Sequence, residues 1–139
     1  MRTLLTVLTS LLVFHGTPAR ALQTERVAVG PGPVSKVVGR YGYRLAFRIT
    51  PNKGGLIRND FAVRITRRGR PIRANVFVRF TMSAMAMPSL TLRLRQTTGG
   101  VHRAHGMKLT MFGRWDIRYH IEPPSGRAFD VVLSDRVRF

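Results

Sequence analysis

The chain has 139 residues, of which 24 are lysine or arginine, 6 are aspartate or glutamate, and none is cysteine. Its formal net charge of +18 makes it a magnet for polyanions. The missing thiol excludes a disulfide framework, a thiolate metal site and a lipid-anchored N-terminal cysteine.

Residues 1–21 read as an export signal. Arg2 supplies the positive start, Leu4–Phe14 is a largely apolar stretch of eleven residues, and Ala19-Arg20-Ala21 offers a small-residue cleavage site. Such a stretch is too short to cross a bilayer, which takes about 20 residues. The protein is therefore expected in the periplasm or outside the cell. Removing Arg2 and Arg20 with the signal leaves 22 basic against 6 acidic residues, a net charge of +16. The remaining chain is long enough for one domain with a modest core. Residues 22–42, rich in glycine and proline, are expected to be a flexible lead-in, and 43–139 the folded domain.

A period of two dominates that domain, and no helical period competes with it. The first strand is expected over Tyr43–Thr50. "PNKGGLIRN" then breaks the chain, and Phe61–Thr66 makes the second. "RRGRP" is a tight turn, with Gly69 taking positive φ and Pro71 closing it. A third strand over Ile72–Met82 puts Ile72, Ala74, Val76, Val78 and Phe80 on one face. Leu90–Gln96 is the fourth and Val101–Leu109 the fifth. The sixth, Trp115–Ile121, points Trp115, Ile117, Tyr119 and Ile121 inward, and Ala128–Leu133 is the seventh. About seven short alternating strands with regular turn signals predict an all-β, immunoglobulin-like antiparallel β-sandwich.

The same alternation places the arginines. Arg44, Arg48, Arg64, Arg93 and Arg95 fall on outward positions of strands and form no tail or basic helix. They read first as a solvated outer face, with a polyanion-binding surface as the alternative; the partner expected is a protein outside the cytoplasm, acidic or a copper acceptor, with weak association with anionic membrane surfaces. No recognition helix or interleaved stacking motif points to specific nucleic-acid binding. Enzyme signatures are also missing: no G-x-S-x-G, no H-E-x-x-H, no phosphate-binding glycine loop, no thiol nucleophile. The carboxylates Glu25, Asp60, Asp116, Glu122, Asp130 and Asp135 never fall at the spacing of a metal motif. They are expected to partner neighbouring arginines, and the protein is expected not to be an enzyme.

One anomaly remains. "TMSAMAMPSLTL" holds Met82, Met85 and Met87, and every methionine after Met1 lies between Met82 and Met111, together with His102 and His105. Thioether sulfur is a soft ligand suited to Cu(I), and neutral imidazole complements it. Met85-x-Met87 on one extended segment and His105-x-Met107 on another would supply up to four ligands. Methionine also fills irregular gaps against aromatic rings. On that ground Met82, with the parity of Phe80, and Met111, beside Phe112-Gly113, are assigned to packing. His102 is expected at the core edge or surface, and His120 on the solvated arginine-bearing face. Two readings stand: a Cu(I) carrier using Met85, Met87, His105 and Met107, and a metal-free interaction module whose methionines form a docking patch.

Four stretches add to this: Asn59-Asp60-Phe61-Ala62-Val63, Gly69-Arg70-Pro71-Ile72-Arg73-Ala74-Asn75-Val76, Met82-Ser83-Ala84-Met85-Ala86-Met87-Pro88 and Met111-Phe112-Gly113-Arg114-Trp115. Together they resemble the YtkA-like family of small exported β-sandwich domains, akin to FixH-like periplasmic modules. The resemblance implies a role outside the cytoplasm, linked in some members to copper handling and assembly of haem–copper oxidases. Ser83 stands where the family's first proline is usual, and His102 where a tyrosine is usual.

Overall fold

The computed structural model describes residues 24–26, 34–50, 59–82, 84–85, 89–107 and 113–137. The expected signal peptide lies outside them. The chain order is β1 (Thr24–Arg26), β2 (Val34–Arg40), β3 (Tyr43–Ile49), β4 (Asn59–Arg67), β5 (Arg70–Pro71), β6 (Asn75–Met82), β7 (Leu90–Arg93), β8 (Arg95–Gln96), β9 (Val101–Met107), β10 (Gly113–Glu122) and β11 (Phe129–Val137). Two sheets result. The first runs β1-β11-β10-β6-β7; the second runs β2-β3-β4-β9-β8, with β5 pairing β4. All pairings are antiparallel except β1 with β11, which is parallel.

The sheets face each other because period-two sequences bury every second residue. β3 buries Tyr43, Leu45, Phe47 and Ile49, β4 buries Phe61, Val63 and Ile65, and β10 buries Trp115, Ile117, Tyr119 and Ile121. Each large apolar side chain removed from water contributes about 1.5–3 kcal/mol. Aromatic pairs tie the layers: Phe47 to Tyr119 with centroids 4.6 Å apart, and Phe61 to Phe80 at 4.9 Å. Met82 joins the core at 6% exposure, its terminal methyl resting where a Cβ on Gly113 would lie. Packing is thus the role of Met82, as its parity predicts.

Four departures from the expected strands have physical causes. Residues 72–74 carry the chain from β5 in the second sheet to β6 in the first, so they form no ladder. Leu94 does the same in reverse. Its amide donates to the Val76 carbonyl at 2.8 Å and its side chain is buried, and the expected fourth strand becomes β7 and β8 on opposite sheets. Strands that switch sheets form the corners of sandwiches. The stretch expected as a lead-in supplies β1 and β2, and β2 pairs along the whole of β3. Finally, β11 runs to Val137, four residues past the expected end, because its partner β10 extends to Gly113.

Beside the buried Asn59 and Ser134, two further polar groups in the core bear on stability. Tyr119 is fully buried and its hydroxyl has no hydrogen-bond partner among the described residues. Burial raises its pKa far above the usual phenol range, so the hydroxyl stays protonated. A buried, unsatisfied hydroxyl costs about 1–3 kcal/mol. Tyr119→Phe is therefore expected to stabilise the protein by about 1 kcal/mol, read as a raised denaturation midpoint with unchanged denaturant slope. His102 is the second. It sits at 1% exposure between the sheets, deeper than the core edge or surface expected, where its Nε2 accepts from the Ala74 amide at 3.4 Å and its Nδ1 has no partner among the described residues.

Candidate functional site

The chain connections gather three segments at one end of the sandwich. β6 ends at Met82, directly opposite Trp115 near the start of β10, and β9 ends at Met107, with five residues between it and the start of β10. β4 starts at Asn59, opposite Met107. The methionine loop, the end of β9 and the beginning of β4 therefore share this end.

His105 is the best-defined of the expected ligands. It lies on the outer face of the second sheet, where its Nδ1 is 2.7 Å from Asp60 Oδ1. An ionised carboxylate only accepts, so in the neutral imidazole Nδ1 carries the proton and Nε2 the lone pair. Asp60 is itself held by Thr50: the Asp60 amide donates to Thr50 Oγ1 at 2.7 Å, and the Thr50 amide donates to the Asp60 carbonyl at 3.0 Å. The side chains of His105 and Asp60 are 65% and 45% exposed. An ion pair that open contributes little stability. What it does provide is a fixed tautomer and a directed Nε2, the arrangement that carboxylates impose on metal-ligating histidines.

Met85 is 51% exposed in the loop leaving β6, its amide donating to the Met82 carbonyl at 3.4 Å. Met87, Met111 and the side chain of Met107 lie outside the described residues. The backbone of Met107 pairs with Asn59, across a register shift from the Phe61–Ala104 pair. That irregularity interrupts the simple alternation between His105 and Met107, because a bulged strand offers an extra residue to its partner. Among the described residues, no three His, Asp or Glu side chains converge as a metal site.

Asp60 is the residue that sequence reasoning missed. It was expected to partner an arginine; the β4–β9 register brings it to a histidine instead. His120 likewise differs from expectation. Although on the arginine-bearing face, its Nδ1 is 2.6 Å from Asp130 Oδ1 and its Nε2 is 3.5 Å from Glu122 Oε1, with Arg118 3.6 Å from Asp130 Oδ2.

His102 is separate from this end group and has a different chemistry. Burial lowers its pKa below the usual imidazole value of 6.5, an effect the surrounding backbone offsets only in part. The folded state thus holds it neutral. Its contribution is fully present above pH 6.5 and is lost as pH falls from there through the folded-state pKa, because the unfolded chain binds the proton first. Stability is expected to fall with acidification across this window, and less steeply in His102→Phe, in denaturation series measured at stepped pH.

A family model described as YtkA-like matches residues 43–120, more than half of the chain. No curated protein and no solved structure matches. The match begins at the first residue of β3 and ends on β10 at His120, so it takes in the methionine loop, Asp60 and His105. The chain belongs to the YtkA-like family.

Proposed function

We propose that the protein is a non-catalytic Cu(I) carrier working outside the cytoplasm, with Met85, Met87, His105 and Met107 as the ligand set and Asp60 as the residue that positions His105. The observation that carries this reading is the 2.7 Å Asp60–His105 contact, which leaves an oriented, solvent-accessible Nε2 at the end of the sandwich where the methionine loop departs. Soft thioethers with one imidazole select the reduced ion over Cu(II), which prefers more nitrogen and oxygen. An exposed site of this kind passes its cargo by ligand exchange, one thioether leaving as an acceptor's ligand arrives. Copper handling that serves assembly of a haem–copper oxidase fits that chemistry, with the oxidase or another copper protein as the acceptor.

The test is competition against a Cu(I) chelator under reducing conditions. Wild-type protein is expected to take up about one Cu(I) through its soft ligands. Met85→Leu/Met87→Leu keeps the apolar volume, and such swaps cost under about 1.5 kcal/mol, so the fold survives. Copper binding should weaken by about tenfold or more as two soft ligands are lost. Equal uptake by both proteins would remove these methionines from the site. No uptake by wild type would end the carrier reading and favour a metal-free docking module, a reading that the exposure of Met85 and of Leu90, at 51% and 57%, supports.

A further inference from the structure

The opposite end of the sandwich has a distinct surface. Two hairpin turns stand side by side there, because Tyr43 at the start of β3 pairs with Arg67 at the end of β4. Each is a two-residue turn whose central pair takes positive φ: Tyr41 at 48° with Gly42 at 78°, and Arg68 at 51° with Gly69 at 77°. Type I′ hairpins of this geometry favour asparagine or aspartate before the glycine, since other side chains are strained in the left-handed region. Tyrosine and arginine hold these positions instead, and they are the only non-glycine residues with positive φ among the described residues. Strain kept at two adjacent tips points to a use for the side chains displayed there.

Those side chains share one chemistry. Tyr41 is 49% exposed, its ring edge-on to Phe129 at 5.4 Å, with the Arg40 guanidinium 5.2 Å above it. Arg67 covers Tyr43 at 5.1 Å, and the Tyr43 hydroxyl donates to the Ser125 carbonyl at 3.2 Å, which brings the β10–β11 loop and Arg127 to this end. Arg68, Arg70 and Arg127 are exposed and make no ion pair among the described residues. Neither turn nor the 123–128 loop contains a carboxylate, and Glu122 beside that loop is engaged by His120 and Asn75.

We infer that this end is a docking surface for an anionic lipid bilayer, with Tyr41 seated at headgroup level and Arg68, Arg70 and Arg127 on lipid phosphates. Protruding tips with a single exposed ring suit an interface that favours amphipathic aromatics and rewards each basic residue separately. Single-stranded nucleic acid instead needs successive stacking platforms along a groove. Binding in this pose turns the methionine loop and His105 away from the membrane. The inference rests on the tip alone and stands or falls independently of copper.

The experiment measures partition of the full chain onto phosphatidylglycerol–phosphatidylcholine vesicles and onto pure phosphatidylcholine vesicles. All variants keep the same N-terminal segment, so its contribution cancels. Arg68→Gln/Arg70→Gln/Arg127→Gln is expected to lower partition onto the anionic vesicles by on the order of 100-fold, following about fivefold per basic residue. A variant of equal charge, Arg48→Gln/Arg95→Gln/Arg103→Gln on the outer face of the second sheet, should fall much less. Arg68→Asn guards against misfolding: asparagine suits the left-handed position, so the melting temperature should hold or rise while partition drops about fivefold. Tyr41→Ala should weaken partition further without changing its salt dependence. Equal losses in the two triple variants would show attraction to net charge and overturn the inference, as would wild-type binding by the tip variant. Tighter binding of a single-stranded oligonucleotide than of vesicles, lost in the tip variant, would overturn it in favour of a nucleic-acid surface.

Discussion

His105→Ala is expected to weaken Cu(I) binding by more than about 100-fold, and Asp60→Asn by about 10–100-fold, with little change in unfolding midpoint. The two figures differ because the residues act differently. His105 brings the lone pair itself. Asp60 fixes which nitrogen carries that lone pair through the 2.7 Å contact at Nδ1. An asparagine amide can still accept from Nδ1–H, yet it can also rotate and donate, which admits the wrong tautomer. Stability should hardly move, since both side chains are open to solvent and exposed pairs contribute about 0–1 kcal/mol. A double-mutant cycle separates orientation from simple charge attraction. If Asp60 works through His105, Asp60→Asn costs nothing further in the His105→Ala background. A loss of the same size in both backgrounds would show a carboxylate acting only by its charge, and Asp60 would no longer be a positioning residue.

This pair also shows how far the sequence could be read. Alternation alone placed Val76, Val78, Phe80, Ile117 and Tyr119 in the core, because burial in a sheet follows side-chain parity. It could not pair Asp60 with His105, because register between strands distant in sequence depends on turns and bulges that leave little local trace. The same limit explains the sheet switches at residues 72–74 and at Leu94, where the pattern stays apolar while the hydrogen-bonding partner changes. β2 was hidden for another reason. Its sequence, Val34-Ser35-Lys36-Val37-Val38-Gly39-Arg40, is an edge strand whose ladder with β3 orders it, so composition gave no signal. His102 was misplaced because a histidine at an inward position reads as polar, whereas the structure holds it neutral. The methionine loop was legible as chemistry, through its soft donors, and not as geometry.

Gly100→Ala is expected to destabilise the protein by about 3 kcal/mol, the largest single loss predicted outside the hydrophobic core. Two effects combine. Gly100 has φ of 73°, a conformation that costs an L-residue about 1–2 kcal/mol. Its site is also closed: an added Cβ would lie 2.8 Å from the Ile65 carbonyl oxygen and 3.0 Å from Pro71 Cβ. Those atoms belong to backbone and a proline ring, so they cannot rotate aside, and overpacking of this kind costs about 1–3 kcal/mol. Gly99 supplies the internal comparison. Its φ is 68°, yet an added Cβ there would meet only Arg64 Nη2 at an ordinary 3.6 Å. Gly99→Ala should therefore cost only the conformational part, about 1 kcal/mol. For a domain of this size the larger loss corresponds to a melting temperature lowered by about 10–20 °C. The position matters because Gly100 leads directly into β9, which carries both the neutral, buried His102 and the exposed His105. Thermal unfolding of the two variants in parallel is the measurement. Equal losses would show that the left-handed backbone alone decides the cost, and that β5 and the end of β4 can yield where Gly100 packs against them.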